Sequence, residues 1–497
     1  MAITIPAEYE KNDGVVLTWP YQPDFDTTIA EISGLAAASG KVWLLYNPDS
    51  ITPDTNDIRA FLQSTGNNHD NIYFTPVYSN TFLIREYGPV MGYGVFDQLL
   101  VRYLGDPVFD GYGRPQDDSV PLQLANDWQS DYVQYSLAFE PGNIITDGEK
   151  NVFVSNYILN ENQPLSGEEV AQQLSAIYNV PNVVFIEAPG HSGGGTMRSI
   201  DMFMKLLDSE TMLITEIPDT LPDYSIIENN VSIVQNMTDT YGAPYKIVRV
   251  QAAPLDNGQY DTTLSGELRS YTNSLILNNL ILIPSYNNPE YDSAAFYAYK
   301  NSTYGMTIKM VDARKLAQLH AAIHTITKER PQEHFLRINH KKVEGAQEYQ
   351  GSEFTITCLA TGDDVIDNMW LHYRFNEDTT WQKTMVHLVC PTHYGIIENV
   401  HLTDTVHYYL DATMINGTTI TYPLSAANGS FSFWFDITGI GSQKNYQPVT
   451  TIFPNPVQEM FYIRNLKSGE SVNYRIVDNT GRVLQQGTVG SGRKVEV

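Results

Sequence analysis

Cysteine is nearly absent from this chain: Cys358 and Cys390 are the two among 497 residues. So few thiols exclude a disulfide-stapled framework and a cysteine-rich zinc site. The pair is compatible with one disulfide, which would stabilise by about 3–4 kcal/mol on loop-entropy grounds, or with two buried free thiols. Positive charge is also scarce, with 30 Lys and Arg against 57 Asp and Glu and a formal net charge of −27. A field of that sign opposes binding to nucleic acid or an anionic membrane and attracts cationic ligands, besides keeping the chain soluble. No apolar stretch approaches the roughly 20 residues that span a bilayer. The Met1-Ala2 start has neither the basic n-region nor the apolar h-region of an export signal, so such a signal is expected to have been removed from this chain or never to have existed.

What is present is length and pattern. A chain of 497 residues exceeds one ordinary core and predicts two or three domains. In the first part, 15–19, 42–46, 183–186 and 275–283 are apolar, rich in β-branched residues and bounded by turn formers, hence strands. Between them, 167–174 and 312–319 have helical spacing. Residues 1–335 therefore read as an α/β domain. After about residue 335 the helical signal fades. The runs 354–359, 369–374, 406–412 and 431–435 are short strands between polar turns, which predicts an all-β sandwich over 336–441. A polar stretch near Ser442 opens a third piece, 442–497.

Several motifs stand in a fixed order. Pro6-Ala7-Glu8-Tyr9-Glu10 precedes Trp19-Pro20; then come Arg85-Glu86-Tyr87-Gly88-Pro89, Phe139-Glu140-Pro141-Gly142-Asn143, Ser199-Ile200-Asp201-Met202-Phe203, Thr272-Asn273-Ser274 with Ser285-Tyr286-Asn287, and Ile323-His324-Thr325-Ile326-Thr327. In this series the chain resembles the bacterial, Porphyromonas-type peptidylarginine deiminase and agmatine deiminase family. The resemblance implies a pentein fold, an α/β propeller of five ββαβ units around a funnel, although no clean sequence repeat is visible. It also makes 336–441 similar to the immunoglobulin-like module of the secreted subgroup. Phe453-Pro454-Asn455-Pro456-Val457, followed by 474–483, resembles the C-terminal sorting domain of the type IX secretion system of Bacteroidetes, which usually carries one more strand than the run to Val497 supplies. Secretion or cell-surface attachment is the implied location.

Deimination of a guanidinium needs carboxylates that hold the planar cation, a thiolate that attacks its carbon, and an imidazole that moves protons. Matching the family's motifs residue by residue, Thr325 stands where the nucleophilic cysteine is expected and Ser199 where the histidine is. A threonine hydroxyl needs a strong base beside it to attack, and a serine does not titrate near neutrality. Glu86 stands for an aspartate, with an added methylene, and Asp201 keeps the second carboxylate. Pro141 replaces a glycine and removes a backbone donor. Arg85, Glu140, Asn287 and His324 match positions expected to line or order the substrate pocket, and His191, in a glycine-rich run, is a loop histidine that could fold back toward it.

The expectation is a secreted three-part protein whose deiminase-like domain is inactive or impaired and retains Glu86 and Asp201 as a guanidinium clamp for arginine peptides or small guanidines, with no metal, cofactor or nucleic acid involved. Two alternatives stand beside it: an active deiminase with Thr325 as nucleophile and His324 or His191 as base, and a propeller retained only as a scaffold for protein contacts.

Overall fold

Five small sheets organise the chain as far as Pro331, each containing at least one antiparallel and one parallel strand pair. They belong to a computed structural model that describes residues 3–496 apart from 67–68, 97–98, 110–112, 191–198, 263–265, 390–391, 437–450, 454–459, 465–470, 478–482 and 491–493. Parallel neighbours need a crossover, and a helix supplies it in every sheet: Pro23–Ala37, Val120–Trp128, Gly167–Tyr178, Tyr224–Gln235 and Pro289–Lys300. The fifth sheet joins the two ends of this region. Lys328–Pro331 pairs antiparallel with Asn12–Thr18, Glu329 opposite Val15, so the loop that carries Thr325 runs straight into a strand fixed to the N-terminal segment.

Local sequence explains the individual elements. Gly167–Tyr178 opens on a reciprocal cap, with Glu169 N–H donating to Ser166 Oγ at 3.3 Å and Ser166 N–H to the Glu169 carboxylate at 2.8 Å. It buries Val170, Leu174, Ile177 and Tyr178, one helical face, and ends at Asn179 in the left-handed conformation. The apolar run 275–283 is not one strand but a hairpin, Leu275–Leu277 against Leu280–Ser285. Its two-residue turn, Asn278-Asn279, places Asn278 at φ 56°, which asparagine tolerates better than other non-glycine residues. The stretch 312–319 also departs from its helical reading. Asp312 ends the strand Thr307–Asp312, and only Arg314–Ala317 is helical. The Asp312 carboxylate takes the Arg314 N–H, and His320 at φ 54° turns the chain out of the helix.

Two further sheets follow. One is ordered Leu336–Asn339, Glu353–Gly362, Thr392–Glu398, His387–Val389; the other runs Gly345–Glu348, Phe431–Asp436, Thr405–Met414, Ile366–Phe375, Gln382–Met385. Strict alternation along Thr405–Met414 buries Val406, Tyr408, Leu410, Ala412 and Met414 in a core shared with Leu371, Phe431 and Phe433. Cys358 lies in this core as a free thiol, pushed up to about 12 by burial; Cys390 is outside the described residues. Ion pairs tie this β-rich stretch to the sheets before it, Arg337 with Glu10 at 2.7 Å and Lys342 with Asp208 at 2.9 Å.

The chain divides into two compact units, Met1–Phe435 and Asp436–Val497. The second contains strands Thr451–Phe453, Met460–Arg464, Ser471–Val477, Val483–Gly490 and Lys494–Glu496. Of the Phe453-Pro454-Asn455-Pro456-Val457 motif, only Phe453 lies within the described residues. No helix among the described residues is long and apolar enough to cross a membrane.

Candidate active site

Four short irregular segments converge where sheets end: the helical turn Ile84–Tyr87, the 3-10 turns Pro141–Asn143 and Ile200–Met202, and the loop through the 3-10 turn His324–Ile326. Close packing fixes them. A Cβ at Gly88 would meet Ile84 O at 2.5 Å, and one at Gly142 would meet Arg85 Cγ at 2.8 Å, Ser199 Oγ at 3.2 Å and Asp201 Oδ2 at 3.3 Å. Asn143 Oδ1 accepts the Ile200 N–H at 3.2 Å and so holds the turn that presents Asp201. Together they enclose a small open cleft lined by Arg85, Glu86, Glu140, Gly142, Ser199, Asp201, Met202, His320 and Thr325. Six residues singled out in the sequence thus meet at one place, although Arg85 is more than 200 positions from Thr325.

Their partners define what each can do. Thr325 is 8% exposed; its N–H and Oγ1 both donate to Asn273 Oδ1, at 3.2 and 3.3 Å, and Oγ1 accepts the Ala322 N–H at 3.4 Å. No basic side chain is within hydrogen-bonding distance of that hydroxyl among the described residues. Glu86 accepts from Arg114 Nη2 at 2.7 Å, while Arg114 Nε lies 3.1 Å from Asp117 and its guanidinium stands over the Phe109 ring. Burial raises the Glu86 carboxyl against the pull of Arg114. Glu140 is raised well above the usual carboxylate range, by burial first and then by the charges of Glu86 and Glu161.

Arg85 and His324 hold their polar atoms in internal contacts, Arg85 at the wall of the cleft. Arg85 is buried and forms a two-pronged ion pair with Glu329, with one contact at 2.8 Å, while its Nε donates to His324 O at 3.2 Å. Its charge is spent internally: burial pulls the Glu329 carboxyl up, but the Arg85 charge and hydrogen bond together with His324 hold it below its ordinary range. His324 lies behind the cleft, its Nδ1 2.6 Å from Asp201 Oδ2 and its Nε2 2.9 Å from Glu8 Oε2. Lys205 Nζ, 2.6 Å from Glu8 Oε1, closes the chain of contacts. Burial, then Arg85 and Lys205, push His324 down to about 3, yet carboxylates at both ring nitrogens require two N–H donors. The contacts decide, because a neutral ring would turn a lone pair toward an anionic oxygen. Both ring nitrogens of His324 are therefore committed to these two side chains.

Glu8, His324 and Glu329 bring ligand atoms within 4.8 Å of one another, as a metal site would need. Lys205 and Arg85 already neutralise those carboxylates, so the set is an internal ion cluster. It lines a second cavity with Lys328, whose amine is pushed down to about 7 by burial and the nearby Arg85 charge.

Asn287 does not reach the cleft. It is exposed at φ 55°, on the turn before helix Pro289–Lys300, where a side chain projects to solvent. His191 lies outside the described residues. Sequence reasoning missed Arg114, His320 and the role of Asn273. Asn273 stood in a recognised motif, and His320 is five positions before Thr325, but nothing local pointed to Arg114.

Comparison with known proteins assigns the family. Residues 4–331 match the Porphyromonas-type peptidyl-arginine deiminase family. The chain belongs to that family. Residues 451–496 match the secretion system C-terminal sorting domain. A Mycoplasma capricolum protein named for agmatine deiminase is 22% identical over 352 residues, 66% of this chain and 95% of its own length. Among solved structures, the agmatine deiminase of Enterococcus faecalis has a TM-score of 0.55 at 17% identity, over 66% of this chain and 96% of its own. C. jejuni agmatine deiminase has a TM-score of 0.54, also at 17% identity, over 67% and 96%. At such identities the structural likeness establishes the deiminase-type fold and nothing finer.

Proposed function

We propose that this family member is a secreted or surface-attached protein that binds guanidinium groups of arginine peptides or small guanidines and does not hydrolyse them. The observation that carries this reading is the cleft itself: carboxylates of Glu86, Glu140 and Asp201 converge beside a threonine whose hydroxyl is held by Asn273 and has no base in contact. The recognising half of a deiminase site remains, and the reacting half is missing.

Planar N–H donors suit carboxylate pairs through charge-assisted bonds that need no nucleophile. Glu86 already carries one guanidinium, that of Arg114, at 2.7 Å. The clamp expected from Glu86 and Asp201 is thereby extended to Glu140, whose carboxyl burial and then the Glu86 and Glu161 charges keep protonated until a cation displaces the proton, with Asp201 contributing the oxygen that His324 does not hold. A Thr325 nucleophile would need deprotonation by His324, whose ring nitrogens are both committed, or by His191. On this reading the five strand–strand–helix–strand sheets form a five-bladed propeller of ββαβ units around the cleft. The following sheets form an immunoglobulin-like sandwich, and the sorting domain directs export and surface attachment.

The test is binding and turnover measured together on N-acetyl-arginine amide and agmatine, with Asp201→Asn and Glu140→Gln as controls. Saturable binding lost in both variants, with no ammonia or ureido product, fits the proposal. Product formation abolished by Thr325→Ala overturns it.

A further inference from the structure

Four arginines are buried among the described residues, and three of them carry carboxylates. Arg85 is held by Glu329, Arg269 by Asp256 at 2.6 Å and Glu267 at 2.7 Å, and Arg337 by Glu10 at 2.7 Å. Against burial, these carboxylates hold all three above the ordinary arginine range. The fourth, Arg330, is 8% exposed, and its side chain has neither a hydrogen bond nor an ion pair among the described residues. In a chain with 57 acidic residues against 30 basic ones, an unpaired buried cation is not explained by a shortage of carboxylates. Alternation along Lys328–Pro331 points Glu329 to Arg85 and Arg330 to the opposite face of the strand, so this guanidinium is no part of the cleft.

Two indole rings cradle it. The guanidinium carbon stands 4.2 Å from the centre of Trp43 and 3.9 Å from that of Trp128, and the two rings lie 5.8 Å apart at 58°. Rings set at that angle make a notch that is open on the side away from them. Nε is sealed and unpartnered, whereas the terminal nitrogens Nη1 and Nη2 are not sealed. Indole faces attract a guanidinium without accepting its in-plane N–H groups. Burial, then the like charge of Arg102, push Arg330 down to about 9, and Asp13, Glu333 and Asp127 do not balance them. Arg102 is held close by by its 2.7 Å bond to the carbonyl of Pro331, and Asp13 is already taken by Arg102 at 2.8 Å. A desolvated cation without a counter-ion is costly, so the notch lacks an anion.

We propose that Arg330 is the binding site for an external carboxylate, which takes both terminal nitrogens in a fork while Trp43 and Trp128 fix the plane of the guanidinium. The planar, singly charged group matches the planar donor edge and the one unpaired charge. A phosphate dianion would set two charges beside Asp13 and Asp127.

The full chain, Arg330→Met and Arg330→Lys are titrated at pH 7 and constant ionic strength with acetate and with N-acetylglycine. Saturation-transfer NMR from the aromatic protons to the probe's methyl group reads binding, and inorganic phosphate is the competitor. The expected result is saturable binding to the wild-type chain and an about tenfold loss in both variants, since methionine fills the notch without charge and lysine keeps the charge without the fork. Tighter binding of N-acetylglycine than of acetate supports the site with a peptide terminus as the source, and equal binding supports it with a small free carboxylate. Should one variant not fold, the other decides. No saturable binding, equal affinity in the wild-type chain and a folded variant, or displacement by phosphate at a lower concentration than the carboxylates need overturns the proposal.

Discussion

The Thr325 hydroxyl donates to Asn273 Oδ1, and the neighbouring Ser199 offers another hydroxyl where a proton carrier is needed, so neither side chain supplies charge or a mobile proton at the cleft. Replacing both should matter only together, because a thiolate without an imidazole, or the reverse, completes no cycle. Ser199→His with Thr325→Cys and Glu86→Asp is expected to produce measurable ureido product from arginine peptides by mass spectrometry, and each single change to produce little. An inert but folded triple variant would point to Pro141. Arg114 makes a second prediction. Its guanidinium competes for Glu86, so Arg114→Ala should tighten binding of N-acetyl-arginine amide by about tenfold in a calorimetric titration at low salt; weaker binding would mean that Arg114 helps to build the cleft. At this scale Glu86, Glu140, Ser199, Asp201 and Thr325 were legible from motifs. Arg114 and His320 were not, because their relation to the cleft exists only once distant loops meet, and Asn287 failed because its register in Asn287-Asn288 gave no sign of which way the turn faces.

Elements were legible where local chemistry is strong. Ser166 and Glu169 announce the helix Gly167–Tyr178, and the cap they form is exposed, so Ser166→Ala should cost about 1 kcal/mol of unfolding free energy in urea. A change within error would mean that packing of Val170 and Leu174 alone holds the helix start. The run 275–283 shows the limit of composition: an unbroken apolar stretch conceals a hairpin because Asn278 and Asn279 are outnumbered by seven aliphatic neighbours. In 312–319, helix-forming residues were overruled by the strand that runs to Asp312, whose carboxylate takes the Arg314 N–H, and by the turn at His320.

Across the whole molecule, the change of periodicity near residue 335 separates an α/β region from a β-rich one, and the motif beginning at Phe453 points to the sorting tail that the match over 451–496 shows. The sequence did not reveal that the first two share one compact unit, since this depends on ion pairs such as Arg337 with Glu10. The β-rich core also contains a pH-sensitive group. His340 donates from Nδ1 to Thr357 O at 2.7 Å and accepts the Tyr408 hydroxyl at Nε2, 2.8 Å away. Burial lowers its pKa from 6.5 to about 4. The unfolded chain then takes up a proton in a range where the folded chain does not, so this contribution to stability is present above pH 6.5 and is lost as pH falls toward 4. His340→Gln, which keeps a donor and an acceptor, should flatten the fall in urea midpoint between pH 7 and pH 4.5; an unchanged slope would assign it to other groups. The net charge of −27 adds a long-range attraction for cations that salt should weaken.

The central claim, recognition without reaction, is tested most directly by injecting N-acetyl-arginine amide into the full chain in a calorimeter at low salt. The account predicts heat pulses that saturate and return to baseline, shrink as salt rises and vanish in Asp201→Asn. A sustained heat flow after each injection, accompanied by ammonia, would contradict it by revealing turnover, and no heat at any concentration would contradict it by revealing a cleft that binds nothing.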